Sequence, residues 1–324
     1  MSISQQLSCS FHGIGIDVLG PQAAVSSLAS RLGQLTAEAN DGEKLHFEFF
    51  TAPSPSMHRI DRPRGQGRAF YQPLTGDATY YPDSDELYLD YGGRARALCR
   101  PAEGHCFISL QEPESDQLWL GTHPLFTIPL IEMLKRRGKF NVHAAAFALG
   151  GCCVLLPGTT GAGKSTLTVC LLRGGLDFLG DDMAFVERRD GLRVLAFPES
   201  IDITDTTASF FQELHALTYR PKRPGWPKHE IRCGDYFSSR LAWNAQPKAI
   251  VFPQIGKAFE SKLTPITSDE AFLELAPNVL LTEAESTRAQ FEVLAQLVKS
   301  TPLYRLRTGR DFDRIPQLVG ETLQ

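Results

Sequence analysis

The chain has 324 residues, of which 42% are hydrophobic and 22% charged, and its formal net charge is −4. These values are ordinary for a globular protein, and the length favours about two domains. The small negative charge gives no electrostatic reason to bind nucleic acid or a membrane surface, and we expect neither partner.

The N-terminal residues and the cysteines bear on the cellular compartment. Residues 1–7 lack the basic start and apolar core of a signal peptide, and no apolar stretch reaches the ~20 residues of a membrane span. The 7 cysteines show no paired spacing, and no Cys/His cluster has zinc spacing. We therefore expect a cytoplasmic protein without a disulfide framework.

Residues 1–138 predict a mostly antiparallel β (α+β) domain. Three short segments alternate apolar and polar side chains and are separated by Pro, Gly and Asp turns: residues 45–50, 86–91 and 106–110. This pattern is typical of strands that pair in hairpins. It does not name a ligand or a role for the domain.

A loop and a helix complete this first region. The Pro-containing stretch 51–68 predicts a long loop, in which Arg62, Arg64 and Arg68 either meet an anionic ligand or are simply solvated. Residues 124–137 predict a helix with a basic C-terminal end. We expect the domain boundary directly after it, so that 139–324 form a second domain.

The second domain opens with a predicted hairpin. Residues 140–149 and 152–157 are strand-like and are joined by Gly150 and Gly151, a two-residue turn signal. A regular hairpin places His143 opposite Gly158. His143 is then either a titratable group at the mouth of the following loop or a structural histidine at a strand start.

The strongest motif follows this hairpin and is a P-loop, a Gly-rich loop between a strand and a helix. Its glycines let backbone N–H groups surround a phosphate chain, and the helix N-terminus adds positive potential. The lysine can reach the outer phosphates and the serine hydroxyl can hold Mg²⁺. A chance Gly-rich turn is the alternative. We assign nucleotide binding to Gly158, Thr159, Thr160, Gly161, Ala162, Gly163, Lys164, Ser165 and Thr166.

An acidic pair comes soon after the P-loop. The helix should end near Arg173, and the next strand, 176–180, runs into Asp181 and Asp182. Ligands of α/β sheets gather at the carboxyl ends of strands, so the pair should return beside Lys164. One carboxylate can bind Mg²⁺ and the other can orient and deprotonate an attacking hydroxyl, whereas a simple turn is the alternative.

The combination resembles the catalytic domain of HPr kinase/phosphorylase and its related proteins. The resemblance lies in a His-Ala-Ala hairpin leading into the P-loop, one helix, and Asp-Asp only 17 and 18 residues after Lys164. It is strong over residues 141–187 and weaker to about 320. It implies an α/β domain of the HPr kinase/phosphoenolpyruvate carboxykinase type, with ATP and Mg²⁺ as cofactors.

The resemblance also implies roles for single residues. It makes Asp181 the base toward a seryl hydroxyl, Asp182 a metal ligand with Ser165, and His143 a group near the phosphates. Lys164 would neutralise the transferring phosphoryl group. Residues 228–235 do not match the family segment linked to phosphorolysis, so the reverse reaction is not implied.

A basic Pro-rich segment lies downstream. It either closes over phosphates or an acidic acceptor, or it is a mobile surface loop. The basic residues concerned are Arg220, Lys222, Arg223, Lys228 and, shortly after, Arg232. Further along, 247–253 and 302–306 predict strands and 268–275 predicts a capped helix.

These observations predict an ATP-dependent kinase that phosphorylates a hydroxyl, chiefly a serine of a protein or peptide, or else a small molecule. A nucleotide-binding switch or partner-regulated NTPase without a phosphoacceptor is the main alternative. A structural or sensory protein with a relic P-loop is a third. The acceptor and any homo-oligomer are left open by the sequence.

Overall fold

The computed structural model describes residues 4–35, 42–51, 59–71, 76–111, 116–158, 161–215, 225–238, 240–279 and 282–324. The chain divides into two compact units. The first unit comprises Met1–Gly138 with Leu280–Arg288, and the second comprises Lys139–Val279 with Ala289–Gln324. Over the described ranges, no helix has both the length and the apolar character needed to cross a bilayer.

The first unit contains one large sheet and three helices. Its elements are β1 (Ser4–Phe11), β2 (Ile14–Pro21), α1 (Gln22–Leu32), β3 (Lys44–Thr51), β4 (Arg68–Tyr71), β5 (Asp77–Tyr81), β6 (Glu86–Tyr91), β7 (Ala95–Arg100), β8 (His105–Leu110), α2 (Asp116–Thr122) and α3 (Pro124–Lys135). The strand order is β1-β2-β3-β8-β7-β6-β5-β4.

This sheet is mixed, because β3 pairs in parallel with both β2 and β8 while the other neighbours are antiparallel. Helix α1 lies between β2 and β3 in the chain, which is the kind of crossover that a parallel pair requires. The predicted alternating segments are β3, β6 and β8. The predicted helix 124–137 ends slightly earlier, at Lys135.

The segment Leu280–Arg288 joins the first unit through polar contacts with the end of α3. Lys135 Nζ donates to Thr282 Oγ1 over 3.0 Å, and Arg136 donates to Ser286 Oγ over 3.1 Å. Lys135 also forms an ion pair of 2.7 Å with Glu132, and both side chains are fully buried. A buried ion pair needs such additional partners to offset its lost hydration.

The second unit is built around a larger sheet. Its elements are β9 (Lys139–Val142), β10 (Ala144–Leu149), β11 (Cys152–Pro157), α4 (Lys164–Arg173), β12 (Asp177–Gly180), β13 (Ala184–Arg188), β14 (Leu192–Ala196), β15 (Ile201–Thr204), α5 (Asp205–Ser209), β16 (Lys228–Ile231), α6 (Cys233–Tyr236), β17 (Asn244–Ile255), β18 (Lys262–Pro265), α7 (Ser268–Leu275), α8 (Ala284–Ser300), β19 (Leu303–Thr308) and α9 (Ile315–Gly320). The first residues of α8 belong to the first unit.

The large sheet of the second unit has the order β12-β10-β11-β17-β14-β13-β9, with β19 also paired to β17. The predicted β10–β11 hairpin is confirmed, with Ala144 opposite Pro157 and Leu149 opposite Cys152. The predicted strand 140–149, however, is two strands. The chain breaks at His143 because β9 pairs with β13, whereas β10 pairs with β11 and β12.

Helices cover both faces of this sheet. Alternate strand residues belong to two hydrophobic clusters: Phe147 and Leu156 to one, Ala146 and Leu155 to the other. Helix α4 packs into the first cluster, and α7 and α8 pack into the second. Because side chains of a strand point alternately to opposite faces, the fold is an α/β arrangement with a mixed sheet in the middle.

The later predicted elements are present as well. Helix α7 has the predicted bounds, and Thr267 and Glu270 form a reciprocal capping box at its start. Strands β17 and β19 cover most of the predicted segments 247–253 and 302–306.

Candidate functional site

The strand directions bring three chain segments to one edge of the second unit's sheet. Strand β10 is antiparallel to both β11 and β12, so β11 and β12 run in the same direction. Their carboxyl ends and the start of β10 therefore share one edge. The P-loop follows β11, Asp181 and Asp182 follow β12, and His143 precedes β10.

The described part of the P-loop has the backbone that its glycines predict. Gly161 and Gly163 have φ angles of 89° and 91°, in the left-handed region that favours glycine. Gly163 caps α4, and the Leu167 N–H donates to its carbonyl over 3.1 Å. Helix α4 then ends at Arg173, before Gly174, as the sequence predicts. Thr159 and Thr160 lie outside the described residues.

A cavity of about 340 Å³ opens at this edge, and we call it the phosphate cavity. It contains cationic, hydroxyl and carboxylate side chains together with backbone of the P-loop. Its lining consists of His143, Gly161, Gly163, Lys164, Ser165, Thr166, Asp182, Thr204, Thr207, Lys228 and Ile255.

Lys164 and His143 form the centre of the cavity's polar network. Lys164 Nζ donates to the Gly158 carbonyl and lies 3.1 Å from His143 Nε2 and 3.8 Å from Asp182 Oδ1. His143 Nδ1 lies 2.7 Å from the backbone carbonyl of Asp182. A carbonyl can only accept, so Nδ1 carries the proton and Nε2 accepts from the ammonium.

Burial sets the charge states of this pair. It lowers the pKa of the His143 imidazole, and the neighbouring Lys164 charge lowers it further. The same desolvation lowers the pKa of the Lys164 ammonium, while Asp182 and then Asp181 act in the opposite direction. A neutral imidazole is thus a fixed acceptor that holds the lysine at the cavity.

The two aspartates occupy different environments. The Asp182 side chain is 47% exposed and lines the cavity. Asp181 is buried, and its Oδ1 accepts a hydrogen bond of 2.5 Å from Thr168. Burial, with the charge of Asp182 as the second cause, raises the pKa of the Asp181 carboxyl to about 7.

This difference bears on the roles expected from the sequence. A base must reach the hydroxyl that it deprotonates, and Asp182 is the member of the pair that lines the cavity. Asp181, expected as the base, is instead directed to Thr168 on the P-loop helix. Asp182 is therefore the aspartate that a ligand in this cavity can contact, and the catalytic role expected of Asp181 stays a prediction.

The basic segment downstream is only partly described. Lys228 lines the phosphate cavity from β16. Arg232 immediately precedes α6 and lies outside that lining. Arg220, Lys222 and Arg223 lie outside the described residues, so their predicted role stays a prediction.

Two threonines of the cavity were missed by the sequence reasoning. Thr204 ends β15 and accepts from the Thr207 N–H over 3.1 Å, which caps α5. Thr207 Oγ1 also lies 3.1 Å from Thr166 Oγ1 on the P-loop helix. Strand β15 pairs with β16, where Thr204 is opposite Lys228. A hydroxyl-rich run after a strand was the available signal, but it indicates a helix cap and not a ligand.

A second cavity of about 290 Å³ adjoins the first, and we call it the aromatic cavity. The two share Gly163, Thr166 and Ile255. Its walls include Phe210 and Phe312, whose ring centroids are 5.1 Å apart. The Phe210 side chain is 44% exposed, so an aromatic face is available beside the P-loop.

The donor set of the phosphate cavity suits a magnesium ion bound together with phosphates. Ser165 supplies a hydroxyl and Asp182 a carboxylate, both hard oxygen ligands. Within the described chain, no group of three His, Cys, Asp or Glu residues is arranged to hold a metal alone. Magnesium usually takes one or two protein carboxylates and completes its shell with substrate phosphates and water.

Comparisons with known proteins give little further information. The chain matches no protein-family model and no curated protein sequence. Among solved structures it is similar to the HPr(Ser) kinase/phosphatase from Coxiella burnetii, with 12% identity and a TM-score of 0.30. The match covers 56% of this chain and 92% of that protein. This is a distant resemblance of fold.

Proposed function

We propose that this protein is an ATP-dependent kinase that transfers the γ-phosphoryl group to a hydroxyl, with a seryl side chain as the main acceptor class. A small-molecule hydroxyl is the other acceptor class. The observation that carries the proposal is that Lys164, Ser165, Asp182 and His143 meet in one cavity beside a helix N-terminus. Phosphoryl transfer depends mainly on positioning and on stabilising negative charge, and these groups supply both.

The triphosphate is held by the P-loop backbone and by Lys164. The Lys164 ammonium already has its position fixed by the Gly158 carbonyl and His143 Nε2. Little reorganisation is then needed when phosphate oxygens become its partners, which favours transfer. Lys228 adds a second cation to the same lining.

The aromatic cavity supports a nucleotide as the phosphoryl donor. It shares Gly163, Thr166 and Ile255 with the phosphate cavity, so one ligand can occupy both. Phe210 and Phe312 offer the kind of aromatic surface on which a nucleobase stacks. An inorganic phosphoryl donor would leave this apolar space unused.

Magnesium would be held by Ser165 and Asp182 together with phosphate oxygens of the nucleotide. When bound, it would neutralise charge that develops on the transferring group. Asp182 is the member of the aspartate pair that lines the cavity, so we also assign it the orientation of the acceptor hydroxyl. Asp181 would then position Asp182 and α4 through Thr168.

The proposal is tested by measuring ADP formation with and without acceptors. Purified protein is incubated with ATP and Mg²⁺, alone, with serine-containing peptide pools, and with hydroxyl-bearing small molecules. A kinase forms ADP at a rate that depends on one acceptor class. ADP formation that is unaffected by every acceptor, with release of free phosphate, would instead indicate a nucleotide-binding switch.

A further inference from the structure

A pocket in the first unit has an unusual concentration of arginines. Its volume is about 420 Å³, and we call it the arginine pocket. Four guanidinium groups line it over an apolar floor. The residues concerned are Arg59, Arg62, Arg64 and Arg100, with Leu98 and Phe107 as the floor.

The floor belongs to a small hydrophobic cluster on the sheet of the first unit. Phe107 lies on β8 and Leu98 on the neighbouring β7, where they pair directly. The guanidinium carbons of Arg59 and Arg100 lie 5.4 and 6.0 Å from the centroid of the Phe107 ring. Cation–π contacts of this kind orient the charged groups around the apolar surface.

The segment that carries three of the arginines is fixed against the sheet. Ile60 is buried in the same cluster as Phe107. At Gly67, a Cβ atom would come within 2.3 Å of Thr79 Cγ2, so only glycine allows this close approach. The chain is therefore held by packing on both sides of Arg62 and Arg64.

Three of the arginines are also oriented by acidic or phenolic partners. Arg59 donates to Glu48 over 2.8 Å and Arg100 donates to Glu86 over 2.9 Å. Arg62 donates to the Tyr81 hydroxyl over 2.7 Å and to Asp77 over 3.1 Å. Each guanidinium has five N–H groups, so these contacts fix its direction and leave donors for a ligand.

Arg64 differs from the other three. Among the residues for which the structure gives positions, it forms no ion pair with a carboxylate. Asp61 and Glu86 are the acidic members of the lining, against four arginines. With Glu48 and Asp77, which pair with Arg59 and Arg62, four carboxylates balance the four arginines in formal charge. A ligand is therefore held by guanidinium donors that these pairs leave over, above all those of Arg64, and a small anion suffices. A long polyanion would bring further phosphates against Asp61 and Glu86.

We propose that the arginine pocket binds a small organic oxyanion: a phosphate or carboxylate group carried on a planar or apolar body. The oxyanion meets the guanidinium forks, whose planar geometry matches such groups. The planar or apolar body lies against the guanidinium planes and against the small exposed parts of Phe107 and Leu98, which are 8% and 4% exposed. This site is separate from the phosphate cavity and does not depend on the kinase activity proposed above.

Three probes of related structure test the proposal by calorimetric titration of the full chain. Phenyl phosphate has both the ring and the oxyanion, inorganic phosphate lacks the ring, and phenol lacks the charge. We expect phenyl phosphate to bind at least ~10-fold more tightly than either of the others, since both halves of the pocket contribute.

Variants locate the binding. Arg64→Ala should weaken phenyl phosphate binding about 10-fold, because it removes a charge-assisted contact. Arg64→Glu should weaken binding further, because it replaces the positive charge by a negative one. Arg94→Ala is the matched control, since Arg94 is an exposed arginine of the same unit that pairs with Asp116. It should change binding less than about twofold.

A third variant separates this pocket from the phosphate cavity. If phenyl phosphate still binds to the Lys164→Met variant but no longer binds to Arg64→Glu, it binds in the arginine pocket. The proposal is overturned if Arg64→Ala and Arg64→Glu both bind phenyl phosphate like the original protein, or if inorganic phosphate binds equally well. Absence of binding by all three probes would overturn it as well.

Discussion

The phosphate cavity of the second unit and the arginine pocket of the first both gather cations, but with different chemistry. The phosphate cavity uses Lys164 and Lys228, backbone of a Gly-rich loop, hydroxyl groups and a carboxylate. The arginine pocket uses planar guanidinium groups over an aromatic ring, and no glycine is among its described lining residues. A lysine ammonium is a compact charge on a flexible stem, whereas an arginine fork fixes a bound oxyanion.

Burial separates the two sites further. The Lys164 side chain is 8% exposed, whereas those of Arg62 and Arg100 are 57% and 38% exposed. Charges in the phosphate cavity therefore act through less water and shift the pKa values of their neighbours. This difference fits the two proposals, in which the phosphate cavity changes the bonding of its ligand and the arginine pocket only holds one.

The largest expected effect is the loss of Lys164. Lys164→Met should lower phosphoryl transfer by about 10³-fold, because a preorganised charge at the transferring group is removed. Transfer is measured as acceptor-dependent ADP formation. Lys248→Met is the matched control at an exposed lysine of β17, and it should behave like the original protein. Equal activity of the two variants would show that Lys164 takes no part in phosphoryl transfer.

Substitution of Asp182 should lower phosphoryl transfer much more than substitution of Asp181. Asp182→Asn should lower transfer about 10²–10³-fold, because it removes the carboxylate that faces Mg²⁺ and the acceptor. Asp181→Asn should keep transfer within about tenfold, since the amide oxygen can still accept from Thr168. The opposite ranking, measured under the same conditions, would restore Asp181 as the base.

Asp181 should instead affect how the free energy of unfolding depends on pH. Its carboxyl ionises near pH 3.8 when unfolded but only near pH 7 when folded, so the folded state holds the extra proton between these values. The free energy of unfolding therefore falls as pH rises through this window, on the order of 4 kcal/mol in total.

Asp181→Asn removes this dependence. Measured by denaturant unfolding without metal, the variant should be about as stable as the original protein near pH 4. It should be more stable, by on the order of 4 kcal/mol, at pH 8. A difference that does not change with pH would contradict the burial of an ionisable carboxyl at this position.

The smallest expected effect concerns the aromatic cavity. Phe210→Ala should weaken ATP binding about tenfold through lost stacking, and leave binding of inorganic tripolyphosphate unchanged. Leu273→Ala is the control, because Leu273 is 74% exposed on α7. Parallel losses for ATP and tripolyphosphate would mean that Phe210 supports the P-loop and not a nucleobase.

Local signals explain what the sequence predicted. A few adjacent residues determine each of three features that the sequence predicted: the left-handed glycines of the P-loop, the end of α4 before Gly174, and the capping box at Thr267. The hairpin register followed from a two-residue turn, and it brought His143 to Lys164. The order of strand, loop, helix and acidic pair then placed Asp182 in the cavity.

Long-range pairing explains what the sequence did not predict. Thr204 and Lys228 reach the cavity together because β15 pairs with β16, strands separated by more than twenty residues. The split at His143 depends on β13, and the burial of Asp181 on the packing of α4. The arginine pocket needs the floor formed by Leu98 and Phe107, which no local pattern around Arg64 indicates.

The central claim is that the phosphate cavity passes a phosphoryl group to a hydroxyl. Its most direct test follows the label of γ-³²P-ATP in a cell extract supplied with the protein and Mg²⁺. We predict label on phosphoserine or on another hydroxyl acceptor above the label in extract without the protein. This excess should fall at least about 10²-fold with the Lys164→Met or the Asp182→Asn variant. Label that appears only as free phosphate, in amounts that the two variants abolish, would contradict the kinase proposal and identify a nucleotide-hydrolysing switch.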